Sequence, residues 1–493
     1  MQPCSTTGPV LTAWLSTLAL LSTVLVTASV ADESASQFIA LHSENPHYFL
    51  WRSEPTILVT SGEHYGAVLN LDFDYVAYLD ELQRRGLNHT RVFSGVYREN
   101  SGAFKITENT LAPLPNRHIS PWARSTQPGN HAGGNRFDLT KWDAAYFERM
   151  KDFLTQAACR GIVVELTLFC PMYRDDMWDD CPMNAGNNVN NIGRCPRDEV
   201  YTLEHRDLLD AQLAVTRKIV SELRDFGNLY YEVCNEPYFG GVTMEWQHAI
   251  VDAIVETEKD FSQRHLISLN IANGRAKVES PHPAVSIFNF HYCVPPNTVA
   301  MNYGLNKVIG ENETGFRGRD DVLYRTEAWD FLLAGGGLYN NLDYSFTASH
   351  PAGTLRDYES PGGGSVELRK QLGILKQSLD GFDFIHMQPD TMTVRRVSPE
   401  LTTSVLSRQG QAYVIYMHVP LPNKPKRLKD HLREDVEATL TMDLPSGNYT
   451  VQWLNPVSGV VERTGHVQHN GGQLDLHSPR FSNDIAIQVG RQP

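Results

Sequence analysis

The chain has 493 residues, 41% hydrophobic and 20% charged, enough for one large domain and a smaller companion. Its 57 acidic against 43 basic residues leave a net charge of −14, which disfavours a nucleic-acid backbone or an anionic membrane surface as partner. A neutral partner such as a carbohydrate suits this balance better.

Residues 11 to 30, "LTAWLSTLALLSTVLVTASV", are apolar with interspersed Ser and Thr, and Ser29-Val30-Ala31 resembles a small-residue cleavage site. Residues 1–31 therefore read as a signal peptide, and the protein is expected to be exported, secreted or periplasmic. The residues before the apolar run lack Lys and Arg, so an uncleaved membrane anchor is the alternative. No later stretch approaches the roughly 20 apolar residues that span a bilayer, and no other membrane contact is expected. Export permits disulfides. Cys181 and Cys195 flank the polar stretch "PMNAGNNVNNIGR" and are the candidate pair. Cys159, Cys170, Cys234 and Cys293 lie in or beside apolar runs and read as buried free thiols. The cysteine spacing suggests no zinc site.

From about residue 56, short β-rich runs alternate with longer segments of helical period. The strand candidates are "TILVTSG", "HTRVFSG", "GIVVELTLFC", "NLYYEVCNE", "HLISLNIANG", "VSIFNFHYC", "KVIGENETG" and "GGLYNNLDYSF". Between them, "DYVAYLDELQRRG" places Val76, Leu79 and Leu82 on one face, and "WDAAYFERMKDFLTQAACRG" does so for Phe147, Met150, Phe153, Leu154 and Ala157. Strands apolar nearly throughout are what a parallel sheet buried on both faces requires. Eight of them alternating with helices predict an α/β fold, a (β/α)₈ TIM barrel over residues 32–388. A doubly wound open sheet is the rival, disfavoured because no strand, Gly-rich loop and helix fingerprint is present. Residues 389–493 change texture to short alternating runs broken by Gly, Pro, Asn and Asp, which predicts a C-terminal antiparallel β-sandwich. Such a domain either buttresses the barrel or binds polysaccharide. Only Trp453 and a few tyrosines offer a sugar platform, which favours the buttress.

"NLYYEVCNEPYFGG", residues 228 to 241, runs as an apolar strand into Asn235-Glu236-Pro237. At the C-terminal tip of a barrel strand Glu236 points into the mouth, where barrel chemistry occurs. Cleaving a glycosidic bond requires a proton donor at the leaving oxygen and a second carboxylate facing the anomeric carbon. "KVIGENETGF" offers Glu311 and Glu313, two apart and expected to share a face. Glu313 is nearer the strand end and is the preferred candidate, with Glu311 kept open.

These residues resemble the clan of retaining (β/α)₈ glycoside hydrolases that includes cellulase-like and mannanase-like enzymes. In that clan an Asn-Glu pair ending strand four carries the acid/base, and a Glu ending strand seven is the nucleophile. Asn235-Glu236-Pro237 matches the first motif, and Lys307-Val308-Ile309 followed by Glu313-Thr314-Gly315 resembles the second. "GLNHTRVFSG" looks like the clan's strand two, whose Arg steadies the nucleophile, a role that falls on Arg91. The resemblance covers roughly residues 45–350 and implies a divergent cellulase-like branch with a C-terminal β-domain. It implies Glu313 as nucleophile, Glu236 as acid/base with a carboxyl raised by the facing nucleophile, and Asn235 on the sugar's 2-hydroxyl.

Two departures stand out. The clan has His-x-Tyr on strand six, whereas His291 and Tyr292 are adjacent here and lean to opposite faces unless a bulge intervenes. Strand eight commonly ends in a stacking Trp, whereas this chain offers Tyr339, Asp343 and Tyr344.

The candidate substrate-binding set is Arg91, Asn235, His291, Tyr292, Trp178, Tyr238 and Tyr339. Trp122, Tyr173 and Phe239 either stack on sugar or fill loop cores, and His64 either touches substrate or is structural. "YRDDMWDD" is either a solvated acidic loop or a Ca²⁺ site, and the first is preferred. The sequons at Asn88, Asn312 and Asn448 read as accidental. No metal and no organic cofactor is expected in the chemistry, and the oligomeric state is not legible. A non-catalytic polysaccharide-binding barrel is the alternative function.

Overall fold

The computed structural model describes residues 38–492; the signal-peptide segment lies outside the described residues. Eight parallel strands form a barrel: β1 (Leu58–Gly62), β2 (His89–Phe93), β3 (Val163–Phe169), β4 (Leu229–Cys234), β5 (Ile267–Asn273), β6 (Val285–His291), β7 (Val308–Glu313) and β8 (Leu338–Leu342). β8 pairs with β1 in register, and from β2 onward each strand pairs with its successor in the chain. All but β5 bury nearly every residue, as strands covered on both faces must. The β1–β2 seam is stitched by Asn88. It donates its backbone N–H to the Val59 carbonyl (3.2 Å). Its side chain accepts the Val59 N–H (2.9 Å) and donates to the Ile57 carbonyl (2.9 Å). Asn88 and Asn312 are therefore buried sequon residues, whereas Asn448 is exposed.

The helix Tyr75–Arg84 starts at Asp74, whose side chain accepts the Val76 and Ala77 N–H groups, and it buries Tyr75, Tyr78, Leu79 and Leu82. Val76 is 37% exposed, because the two tyrosines rather than Val76 complete the apolar stripe. The helix Ala144–Cys159 buries Phe147, Met150, Phe153, Leu154 and Ala157 together with Tyr146.

Beyond residue 389 two antiparallel sheets, of six and three strands, pack around Tyr413, Ile415, Leu440, Met442 and Trp453. Trp453 is 3% exposed, so it is core and not a sugar platform. The sandwich docks on the helix Asp321–Leu333. Arg325 forms a bidentate pair with Asp484 (2.8 and 2.8 Å), and Trp329 stacks on Tyr416 (5.0 Å between centroids). Asp330 accepts from Ser404 (2.7 Å) and faces His418 (3.0 Å). Covered by barrel and sandwich together, this helix buries most of its circumference. It follows β7 directly, so the sandwich braces the back of the strand that carries Glu313.

The cysteines depart from expectation. Cys181 and Cys195 are both free. The buried Cys181 thiol turns to the Val96 carbonyl (3.5 Å), and the Cys195 carbonyl accepts the Trp178 indole N–H (2.9 Å). The loop between them is closed by amides instead: the Asn188 side chain donates to the carbonyls of Asn184 (2.8 Å) and Ile192 (3.0 Å). Cys170, Cys234 and Cys293 are buried free thiols, whereas Cys159 is disulfide-bonded. Among the described residues no helix is long and apolar enough to cross a membrane.

Candidate active site

Glu236 lies two positions past the last residue of β4 and sits at φ +35°, a left-handed conformation that a non-glycine residue adopts only under constraint. Its carboxylate accepts hydroxyls from Tyr173 (2.7 Å) and Tyr238 (3.1 Å), and His291 Nδ1 lies 3.3 Å away. Burial pushes the Glu236 carboxyl up, but the contacts with His291, Tyr173 and Tyr238 outweigh it and hold the group below the usual carboxylate range. The expectation of a raised Glu236 is thus not met. The charged nucleophile opposite counts for less than the donors around it.

Glu313 ends β7. Its carboxylate accepts the hydroxyls of Tyr292 (2.5 Å) and Tyr65 (2.8 Å) and faces the Arg91 guanidinium (3.3 Å). A break in the β6–β7 register decides this arrangement. Phe290 pairs with Glu311 but His291 pairs with Glu313, leaving Asn312 as an extra residue. Glu311 and Glu313 therefore do not share a face. Glu311 is fully buried, accepts the Cys293 N–H (2.5 Å), and has its carboxyl pushed well above the usual range by burial and by Glu327 on the helix behind. Asn312 points inward to Glu232 (2.7 Å) and Glu165 (3.0 Å).

A local backbone turn reconciles His291 with Tyr292. Tyr292 lies at φ +57°, which turns its ring back toward the mouth, so the two neighbours converge on the carboxylates instead of diverging. His291 Nδ1 stands 3.3 Å from Glu236 and 3.6 Å from Glu313. These three residues offer ligand atoms within 4.8 Å of one another, a spacing that suits a shared cation as well as a catalytic pair. The tyrosine hydroxyls and Arg91 already occupy much of the space around the two carboxylates.

Arg91 serves more partners than its expected one. It pairs with Glu232 through Nη2 and through Nε (3.1 Å), donates to Asn235 Oδ1 (2.7 Å), and lies over the Tyr65 ring (4.5 Å). Asn235 in turn donates to the Tyr173 hydroxyl (2.8 Å), so it links the supports of both carboxylates.

Beneath the mouth, Glu165 and Glu232 share this single arginine. Asn289 (2.7 Å) and Asn312 (3.0 Å) both donate to Glu165. Burial, then repulsion from Glu232, pushes Glu165 up to about 8, so it carries a proton at neutral pH. Its folded value lies above its ordinary 4.5, so between those two pH values the folded state binds more protons than the unfolded chain. Stability accordingly falls as pH rises through that window. Glu165→Gln, which mimics the protonated acid, is expected to flatten the fall and to melt above the wild type near pH 8. Melting curves across the window check this; an unchanged slope would place the proton elsewhere.

The cavity above the carboxylates, about 420 Å³ counting the part open to solvent, is lined by His64, Tyr65, Glu99, Phe104, Tyr173, Asn235, Glu236, Tyr292, Glu313, Phe316 and Tyr344, among others. Tyr238 stands at its edge, 37% exposed and bonded to Asn273 (2.5 Å) as well as Glu236. Four of the other substrate-binding candidates do not line the cavity: Arg91 and His291, buried against the two carboxylates, and Trp178 and Tyr339. Trp178 is 5% exposed with its indole spent on the Cys195 carbonyl, and Tyr339 points away from the mouth to donate to the Tyr324 carbonyl (2.9 Å). Tyr344 takes the place on the β8 side. Trp122 is fully buried, and Phe239 is 44% exposed beside Tyr238. Asp175, Asp176 and Asp180 pair with Arg197 (3.1 Å), Arg174 (2.9 Å) and His131 (2.5 Å), and form no metal-spaced cluster among the described residues.

Tyr65, Glu99 and Glu232 escaped the sequence reading. Glu232 had a signal, since it lies four residues before Glu236 on the same inward parity. Tyr65 had only its place just past the first strand.

No protein-family model and no curated protein matches the sequence. Solved structures share its fold. A Bacteroides vulgatus protein superposes with a TM-score of 0.62 at 13% identity, over 93% of this chain and 83% of that one. A glycoside hydrolase family 5 protein from the same organism gives 0.60 at 13%, over 93% and 95%. A further glycoside hydrolase gives 0.60 at 12%, over 93% and 98%. At these identities the likeness is one of fold, and coverage of 93% takes in the C-terminal sandwich as well as the barrel.

Proposed function

We propose that the protein is an exported glycoside hydrolase that cleaves O-glycosidic bonds of an oligo- or polysaccharide by double displacement with retention. The observation that carries this reading is the facing of two carboxylates, from the ends of β4 and β7, with oxygens within 4.8 Å across one cavity. Retaining pairs stand roughly 5–5.5 Å apart and inverting pairs roughly 6.5–9.5 Å. The shared fold of the two glycoside hydrolases above supports the class, and the apolar segment at residues 11–30 supports export.

In this scheme Glu313 attacks the anomeric carbon. Tyr292, Tyr65 and Arg91 hold its carboxylate in place and fix which oxygen faces the sugar. Glu236 protonates the leaving oxygen and then activates water. A sugar ring bound against it excludes water and replaces tyrosine or histidine contacts, and both changes raise the carboxyl toward the protonated form that donation needs. Once Glu313 is esterified its negative charge is gone, and Glu236 falls back to a base. Asn235 would bond the sugar's 2-hydroxyl.

NMR of the first sugar released from an aryl glycoside tests the stereochemistry. The retained anomer is expected, and an inverted one would sink the mechanism. The same assay in EDTA is expected to run at full rate. A loss of turnover restored by one added cation would show that Glu236, His291 and Glu313 hold a metal during the reaction.

A further inference from the structure

We infer that the site is a blind pocket that removes single sugar units from non-reducing chain ends; this rests on the assignment of Glu236 as proton donor and Glu313 as nucleophile. A proton donor must face the leaving oxygen, so the leaving group departs on the β4 side. There the mouth is open and bordered by Tyr238 and Phe239, 37% and 44% exposed. The sugar that is transferred must lie on the other side, over β1 and β2.

That side is walled. The loop after β2 bends back at Gly102, Phe104 and Lys105, all left-handed at φ +80°, +52° and +58°. Its tip is tied to the loop after β8. The Thr107 N–H donates to the Glu359 carbonyl (3.0 Å), and the Glu359 N–H donates to the Thr107 hydroxyl (2.9 Å). The Ser349 hydroxyl adds a bond to the Glu108 carboxylate. β1 lies between β8 and β2 in the barrel, so this tie crosses the mouth above β1. Phe104 continues the wall to Tyr173, edge to face at 5.6 Å.

Under the tie the cavity ends in polar groups suited to free hydroxyls. Glu99 faces His64 (3.3 Å) and accepts from Asn109 (2.5 Å), while His64 Nδ1 is buried and has no partner. A chain continuing past the bound sugar would have to pass through the Thr107–Glu359 hydrogen bonds.

The test uses the full-length protein on reducing-end-labelled oligosaccharide ladders of gluco-, manno-, galacto- and xylo-configured backbones, alongside the matching aryl glycosides. The expected first products are free monosaccharide and labelled chains one unit shorter. Internal cleavage, with labelled fragments of mixed length at first turnover, would overturn the blind-pocket inference and leave the glycosidase reading intact. Absence of hydrolysis on every ladder and aryl glycoside would overturn both. A variant with residues 102–108 replaced by two glycines is expected to shift the first products from monosaccharide toward internal fragments. If that variant does not fold, Thr107→Ala combined with Ser349→Ala removes the side-chain ties and is expected to shift them in the same direction. Product patterns unchanged in the folded variants would overturn the tie as the cause.

Discussion

Glu313→Ala is expected to lower turnover by about 10⁴-fold or more on every glycoside, whatever its leaving group. The carboxylate it removes is the acceptor for Tyr292, Tyr65 and one arm of Arg91, and none of those donors can attack carbon in its place. Arg91 keeps Glu232 and Asn235 as partners, so the fold should survive and the loss should fall on rate. Added azide is expected to enter the vacated space and yield an inverted glycosyl azide. Glu311→Ala belongs beside it as a control. Glu311 lies behind the strand against Glu327, so its replacement should move the melting temperature and spare the chemistry. If Glu311→Ala lost turnover while Glu313→Ala kept it, the nucleophile would be assigned to the wrong acid.

Glu236→Ala should fail in a way that depends on the substrate. Glycosides with poor leaving groups need the proton and are expected to slow by about 10²–10⁴-fold. Aryl glycosides with good leaving groups should still form the glycosyl-enzyme, which then accumulates because no base activates water. A burst of released phenol before a slow steady rate is the signature to measure. Azide should restore turnover with retained configuration, since it attacks the intermediate without needing a base. An equal loss across all leaving groups, with no burst, would remove Glu236 from the acid/base role. The lowered Glu236 carboxyl adds a condition: a proton donor is lost as pH rises, so the alkaline limb of kcat/KM reports it in the free enzyme, and that of kcat in the loaded one. The carboxyl controlling kcat is therefore expected at the higher value, because the sugar adds desolvation.

The alternation of strand and helix was legible because hydrophobic periodicity reports burial directly. A parallel barrel buries its strands on both faces, so they read as near-continuous apolar runs. Glu236 was legible because a carboxylate before a proline at the end of such a run has nowhere to go but the mouth. His291 and Tyr292 were readable only as a conflict, and Glu311 and Glu313 as a choice. The second turns on the one extra residue, Asn312, opposite β6, and the first on the left-handed backbone of Tyr292. Pleat alternation has a period of two, so a single inserted residue reverses the facing of every later residue in the strand, and local sequence does not announce it.

By itself the sequence determined the barrel, the appended sandwich and the strand tips on which the acids stand, since these arise from burial patterns within single segments. The tertiary structure alone decided which partners those acids have. Arg91 reaches Glu232, 141 residues away, because the barrel brings β2 and β4 round a common interior. Trp178 and Tyr339 turn from the sugar because a carbonyl on a neighbouring segment claims each polar tip. Cys181 and Cys195 are free, and hydrogen bonds from the Asn188 side chain close the loop between them. The wall over β1 exists because two loops some 250 residues apart in the chain, at Thr107 and Glu359, meet and exchange hydrogen bonds. Each of these is a pairing between distant segments, and such pairings are set by the closure of the fold and not by the pattern of any one stretch.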